Sequence, residues 1–438
     1  MAWYGFRIAS TIADISPDDW DRLHARPWCP FLSRGFLALL EDSGALEQAG
    51  WTPAYALVSR EGRLVACAPF YITASPAGQF TWDYGLEDVA AHYKTAWYPK
   101  LVGTVPFTPA PVWKVLADPA EPEVVSFLLA SMEETARSGG FSGLHLQWVD
   151  PAFASAAGLG QEAGQKAALG STRSFATSSV PIPPGAVPPH KSWIPWQRQV
   201  YRWDNQAYDD FAAFTASFSK NMRRNVARDR AAVAAAGIQT RVVTGNEAPP
   251  SYWKLMADYY ARTNDKFGPW AARFLPPGFF ELAPRYIAGL VRFSAAFRPG
   301  QDHPLALAML FEGDEGLWGR YWGSESDEPG LHFDVCYYQP IQWAIERKLA
   351  FFDPGMGSHH KARRGFKALV VSGYHRVFDQ RLAAVFMRAV REASKEEAAF
   401  AAELNRDLPF KAAIPQPGSS TPEPGAPVPE PGRSAPEA

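Results

Sequence analysis

Cysteine is scarce. Among 438 residues there are three, Cys29, Cys67 and Cys336, far apart and odd in number. They build neither a disulfide framework nor a metal-ligand spacing, so no metal is expected. A dominant charge is missing too: 43 Lys and Arg stand against 45 Asp and Glu, a formal net charge of −2. That balance excludes a global pull toward nucleic acid, so any such contact must be local. No apolar run is long enough to span a bilayer. The first residues, MAWYGFRIASTIADISPDDW, lack a basic region followed by an apolar stretch, so no signal peptide is expected. These absences leave a reduced, cytoplasmic protein as the default.

Apolar and aromatic residues are plentiful, at 47% and 14% of the chain. That suffices for two globular domains with sizeable cores. Strand and helix signals are mixed along the chain, as in an α+β protein. Residues 1–155 form the first segment. Within it, AYALVSREGRLVACAPFYI reads as two strands joined at Glu61-Gly62. PEVVSFLLASMEETARSGG reads as a helix ended by glycine, and GLHLQWV as the strand after it. Residues 156–199 are rich in Gly, Ser and Pro and read as a linker. Residues 200–412 form the second segment. It holds two helices broken around Ser217 to Ser219, a strand at IQTRVV, a helix at SYWKLMADYYARTNDKF and a hairpin across LALAMLFEGDEGLWGRYWG. The Pro-rich tail, 413–438, cannot bury enough apolar surface to order itself. The two hairpin sequences echo one another loosely, as two copies of one module would.

The stretch LHFDVCYYQPIQWAIERKL carries most of the chemistry. Alternation places Leu331, Phe333, Val335 and Tyr337 on one side of a strand, and His332, Asp334, Cys336 and Tyr338 on the other. Gln339-Pro340 then opens a helix. A titratable row thus runs into a helix N-terminus, which favours negative charge. Cys336 reads either as a nucleophile or as a small buried thiol. On the neighbouring strand, Arg320 and Trp322 share a face and can line the same cleft, Arg320 meeting a carboxylate or phosphate. The loop DPGMGSHHKARRGF offers an anion cradle from Gly355, Gly357, His360, Lys361 and Arg364. In SKNMRRNVARDR, Lys220, Arg224 and Arg228 fall one turn apart, with Arg223 beside them. Such a stripe suits phosphates, those of tRNA included, or equally a solvated face interrupted by Asp229. Asp83, Tyr84, Tyr93, Lys94, Tyr98 and Lys100 suit an acceptor pocket, an interdomain surface or core packing.

Several segments together resemble the FemAB-like group of N-acyltransferases within the GNAT superfamily, a peptidoglycan biosynthesis or recognition group. The matching pieces, in family order, are PFLSRGFLALLEDSGAL, WYPKLVGTVPFTP, YRWDNQAYDDF, SKNMRRNVARDRAAVAAAGI, LWGRYWGS, LHFDVCYYQPIQWAIE and HHKARRGF. The resemblance implies tandem GNAT-like domains, each a mixed sheet flanked by helices, with the active site in the second. It implies acyl transfer to an amine. The chain departs from the group at GMGSHHK, where His359 stands at the usual Glu position, and at Pro340, where Gly is usual. YYQPIQWA is also not the pyrophosphate loop of ordinary GNAT enzymes.

Acyl transfer to an amine needs a base, oxyanion donors and an acid for the leaving group. Asp334 or His332 is expected as base and Tyr337 or Tyr338 as acid. Arg320, Trp322, Gln339, the Gly355–Arg364 loop and the basic helix are expected to hold substrate or donor. The expected donor is an acyl-CoA carrying a group other than aminoacyl, with no permanently bound cofactor. The expected acceptor is a small amine or a cell-wall precursor. Aminoacyl-tRNA as donor is the alternative within enzymes, and a non-catalytic cell-wall-precursor binding protein the alternative outside them. Nothing in the residues gives the oligomeric state.

Overall fold

Among the described residues, fifteen strands organise the fold. They are β1 (Tyr4–Ala9), β2 (Trp51–Pro53), β3 (Tyr55–Arg60), β4 (Arg63–Ala68), β5 (Phe70–Thr73), β6 (Lys100–Gly103), β7 (Leu116–Ala117) and β8 (Gly143–Leu146). Then come β9 (Ile194–Asp204), β10 (Gln239–Thr244), β11 (Val291–Phe297), β12 (Pro304–Glu312), β13 (Gly316–Ser324), β14 (Phe351–Asp353) and β15 (Lys367–Val377). The computed structural model describes residues 3–24, 27–160, 193–268, 271–357 and 359–411. Most of the expected 156–199 linker and all of the 413–438 tail lie outside them, although 194–199 belong to β9.

Local chemistry explains the clear elements. Glu61 and Gly62 both adopt positive φ, 52° and 81°, as a two-residue type I′ turn between β3 and β4 requires. Ser219 accepts from the Met222 N–H and caps the basic helix Lys220–Ala235, which separates it from Phe211–Ala216 at the expected break. Gly237, with φ 72°, follows the end of that helix.

The sheet order repeats. Eleven strands run β10-β11-β12-β13-β14-β9-β15-β8-β6-β5-β2, and four more run β1-β3-β4-β7. Only Pro69 separates β4 from β5, so one bent chain segment joins the two sheets. In the large sheet two neighbouring pairs are parallel, β13 with β14 and β6 with β8. Reading inward, β1-β3-β4/β5-β6∥β8 mirrors β10-β11-β12-β13∥β14. The antiparallel pair β9 and β15 lies between the two sets. This is the tandem GNAT-like, mixed α+β architecture. The echo heard in the sequence is displaced by one strand: it likens β3–β4 to β12–β13, whereas strand order matches β3–β4 with β11–β12.

The halves also share a core. Phe31 and Phe36 pack on Phe311 with ring centroids 4.9 and 5.8 Å apart. A second cluster lies under the basic helix, where Met222, Val226 and Val233 meet Leu331, Val335 and Tyr338.

The expected strand over 331–338 is corrected. Gly330, with φ 81°, starts a helical turn at Leu331–Phe333, a π-helix spans Asp334–Tyr338, and an α-helix continues over Gln339–Glu346. The Gln339 N–H reaches the Asp334 carbonyl, an i→i+5 bond that marks the widened turn. Leu331, Val335, Tyr338 and Ile341 are buried, a spacing that serves a helix. Packing against the basic helix decides between two periods that the residues fit about equally.

Candidate functional site

The helical form of 331–346 reassigns its side chains. Asp334 is buried. It accepts from Arg230 Nε at 3.2 Å and from Thr240 Oγ1 at 2.7 Å. Gln339 in turn donates to Thr240 at 2.8 Å. Asp334 is therefore a structural anchor rather than the expected base, since its oxygens are already engaged. Tyr338 is not an available acid either: its hydroxyl donates to Asp229 at 2.9 Å, and Arg364 donates to the same carboxylate oxygen. Burial pushes the Cys336 thiol up, which disfavours the thiolate.

His332 and Tyr337 do meet, and His360 joins them. Tyr337 Oη and His360 Nε2 share a hydrogen bond of 2.9 Å. The His332 ring stands edge-on to Tyr337 at 5.4 Å and lies 6.0 Å from His360. Trp322, at 4.4 Å from His332, and Phe333 form the walls. His332 Nδ1 is buried without a hydrogen-bond partner. Burial, then the nearby His360, Lys361 and Arg364, lowers His332 to about 3. Burial, then Lys361 and Arg364, lowers His360 to about 4. Both imidazoles are thus neutral at pH 7 and resist protonation, their bare nitrogens serving as hydrogen-bond acceptors. Burial raises the Tyr337 phenol, so it stays a donor.

The surrounding cations are largely spoken for. Arg320 forms a two-point pair with Asp353, at 3.2 and 3.1 Å, and is nearly sealed from solvent. It is not the free anion-binding group expected. Lys361, buried and lowered to about 8 by desolvation, donates to the carbonyls of Gly355 and Met356 at 2.9 and 2.6 Å. The Gly355 N–H donates to Asp353. The expected cradle is therefore a loop stapled from within, and Gly357 sits exposed at its tip. Arg364 lies flat on Phe333, its guanidinium carbon 3.1 Å from the ring centre. These charges still make the surroundings of His332 and His360 electropositive, which suits a developing oxyanion. Among the described residues, no group of three or more His, Cys, Asp or Glu is placed to hold a metal ion.

On the basic helix, Lys220, Arg224 and Arg228 face solvent together. Arg223 turns back to the Phe218 carbonyl. Arg230, one of the cations that crowd this helix, joins Asp334 and Gln342 instead of facing a phosphate. Beside it opens a cleft of about 440 Å³, lined among others by Asp209, Phe211, Arg223, Arg230 and Glu346. Asp353 and Thr240 were not foreseen, because their partners lie far away in sequence.

The chain belongs to the FemAB-like family, described as peptidoglycan biosynthesis/recognition, whose model matches residues 11–412. Its fold is similar to the crystal structure of FemX at 12% identity and TM-score 0.47, covering 85% of this chain and 98% of that one. It is similar to a tandem GNAT protein from the clavulanic acid biosynthesis pathway at 12% identity and TM-score 0.38, covering 85% and 98%. It is also similar to L-PGS from Bacillus licheniformis at 12% identity and TM-score 0.41, covering 81% and 94%. No curated protein sequence matches it. The family match corrects one expectation: a transferred group restricted to other than aminoacyl does not hold for a chain of the Fem-type family. Among the described residues, no helix is long and apolar enough to cross a membrane.

Proposed function

We propose that this protein transfers an aminoacyl group from an activated ester, such as aminoacyl-tRNA, to the amine of a cell-wall precursor. The observation that carries the reading is the Tyr337–His360 hydrogen bond of 2.9 Å beside Arg364 and Lys361 in a FemAB-like chain. The acceptor attacks as its free amine; as the C–N bond forms, its proton passes to Tyr337 Oη while the Tyr337 proton moves to His360 Nε2. Tyr337, held by that bond, returns a proton to the leaving ribose oxygen. Arg364 and Lys361 favour the negative charge that builds on the carbonyl oxygen. The solvent-facing stripe of Lys220, Arg224 and Arg228 supports a phosphate-rich donor.

The test incubates the purified protein with a soluble peptidoglycan precursor and either charged tRNAs or a panel of acyl-CoAs, and follows the acceptor by mass spectrometry. Mass gain with charged tRNA alone is expected. Gain only with acyl-CoA, or with neither donor, overturns the proposal.

A further inference from the structure

The basic helix Lys220–Ala235 turns a stripe of four residues inward: Met222, Val226, Asp229 and Val233. Three are apolar, as helical spacing toward a core requires. Asp229 is the exception, a carboxylate only 7% exposed. A charge at such a position is costly unless it is paired. Its partners therefore show what it is there to hold.

Both partners meet the same oxygen. Asp229 Oδ2 accepts from Tyr338 Oη at 2.9 Å and from Arg364 Nη2 at 3.2 Å. The two donors come from different elements. Tyr338 ends the π-helix Asp334–Tyr338 and directly follows Tyr337. Arg364 ends the 3₁₀ segment His359–Arg364, which also carries His360. Asp229 thus ties together the two short elements that supply the two sides of the Tyr337–His360 hydrogen bond. Both elements are irregular, and their internal hydrogen bonds are poorer than those of an α-helix, so bonds from outside fix where they sit.

The backbone packs closely at the same residue. A Cβ added at Gly330, where the 331–346 helix begins, would lie 2.4 Å from the Asp229 carbonyl oxygen. Arg364, held at one end by Asp229, lies over the Phe333 ring and adds positive charge beside His332 and His360. Its Nε is buried without a partner, so the bond to Asp229 does not exhaust the guanidinium.

We propose that Asp229 is a positioning residue for the transfer reaction: it touches no substrate, but sets the Tyr337–His360 contact and the place of the Arg364 guanidinium beside it. This rests on the reading of the Tyr337–His360 pair as the site of proton transfer.

The test uses the full chain and two readouts. The first needs no turnover: NMR of the protein labelled with ¹⁵N-histidine, at pH 7, reads whether His360 Nε2 still shares the bond with Tyr337. Tyr337→Phe supplies the signal for a broken bond. Asp229→Asn keeps the side-chain shape and removes the charge. It is expected to move the His360 Nε2 signal at least halfway to its Tyr337→Phe position. The second readout is aminoacyl transfer, in which Asp229→Asn is expected to lower kcat about tenfold and leave KM within about twofold. A role in stability alone predicts an earlier urea midpoint with the His360 signal and kcat unchanged, and that result overturns the proposal. Should Asp229→Asn fail to fold, Tyr338→Phe removes one of the two donors and keeps the ring. It is expected to move the His360 signal in the same direction, and an unmoved signal overturns the proposal. Absence of transfer in the wild-type protein sinks the transfer reading, while the NMR comparison still decides whether Asp229 sets the pair.

Discussion

Tyr337 and His360 carry the proposed proton transfers, and single atoms test them. Tyr337→Phe keeps the ring packed against Phe366 and Phe333 but deletes the phenol. Transfer is expected to fall about 10²-fold, with a stability cost of about 1 kcal/mol for the lost hydrogen bond. A mutant that melts earlier but transfers at the wild-type rate would show the pair to be structural. The pH–rate profile offers a second check. His360 is lowered to about 4 by burial and then by Lys361 and Arg364, so it stays an acceptor well below the ordinary histidine range. No acid limb of kcat/KM is therefore expected near pH 6.5, and activity is expected to hold down to the pH at which the fold itself is lost. A limb at 6.5 would point to another base. Asp334→Asn tests the anchor. It leaves Arg230 without a counter-charge while keeping the contact with Thr240 possible. Arg230 is one-third exposed, so the expected loss is about 2 kcal/mol, below the roughly 3–5 kcal/mol of a fully buried broken pair. Urea unfolding reads it directly.

At the scale of elements, the π-helix Asp334–Tyr338 decides which side chains meet. Its entry depends on Gly330, where φ is 81° and an added Cβ would sit 2.4 Å from the Asp229 carbonyl oxygen. Gly330→Ala is expected to cost about 2 kcal/mol or more, through both the left-handed backbone and the clash. Gly300→Ala shares the backbone penalty, φ 71°, but meets nothing within 4 Å, so about 1 kcal/mol is expected there. Equal urea midpoints for the two variants would mean that Asp229 yields freely and that the entry is not braced. This element also shows where sequence reading stops. The Glu61-Gly62 turn, the Ser217–Ser219 break and the hairpin at Gly313–Gly316 were legible because turn and cap residues act locally. The 331–338 stretch was not. Its apolar residues alternate with a period of 2 while Leu331, Val335 and Tyr338 also keep a helical spacing, and only the basic helix, about 100 residues earlier, breaks the tie. The helix Pro277–Ile287 hides in the same way, since Pro284 within it argues against a helix interior. At the site, His332 and Tyr337 were readable as titratable residues, but alternation set them on opposite faces, and only the helical form brings them together. The engagement of Asp334 by Arg230 and of Arg320 by Asp353 was not, because long-range pairing leaves no local mark.

At the scale of the whole molecule, two matched strand sets flank one shared antiparallel pair, and aromatic packing welds the halves. Burial on this scale also traps histidines. His24, His332 and His375 are each lowered to about 3 by desolvation, and His145 is pushed well below its usual value by burial and then Lys100. His145 and His375 face each other through their Nδ1 atoms at 3.0 Å, so adding a proton to both would break a buried contact. The consequence for folding has a definite sign. In the unfolded chain these imidazoles take up protons near pH 6.5, whereas in the folded chain they do so only near 3 or below. Between those values the unfolded state holds more protons, so stability is complete above about pH 6.5 and drains as pH falls. Each such histidine contributes a slope of about 1.4 kcal/mol per pH unit, and four of them together can consume a typical total stability of about 5–15 kcal/mol within about two units. Urea unfolding at pH 7, 6 and 5 is therefore expected to show a steep loss that begins above the range where most carboxylates titrate. Constant stability from pH 7 to 5 would mean that these rings reach water in the folded state, and the tightly closed junction between the halves would have to be abandoned.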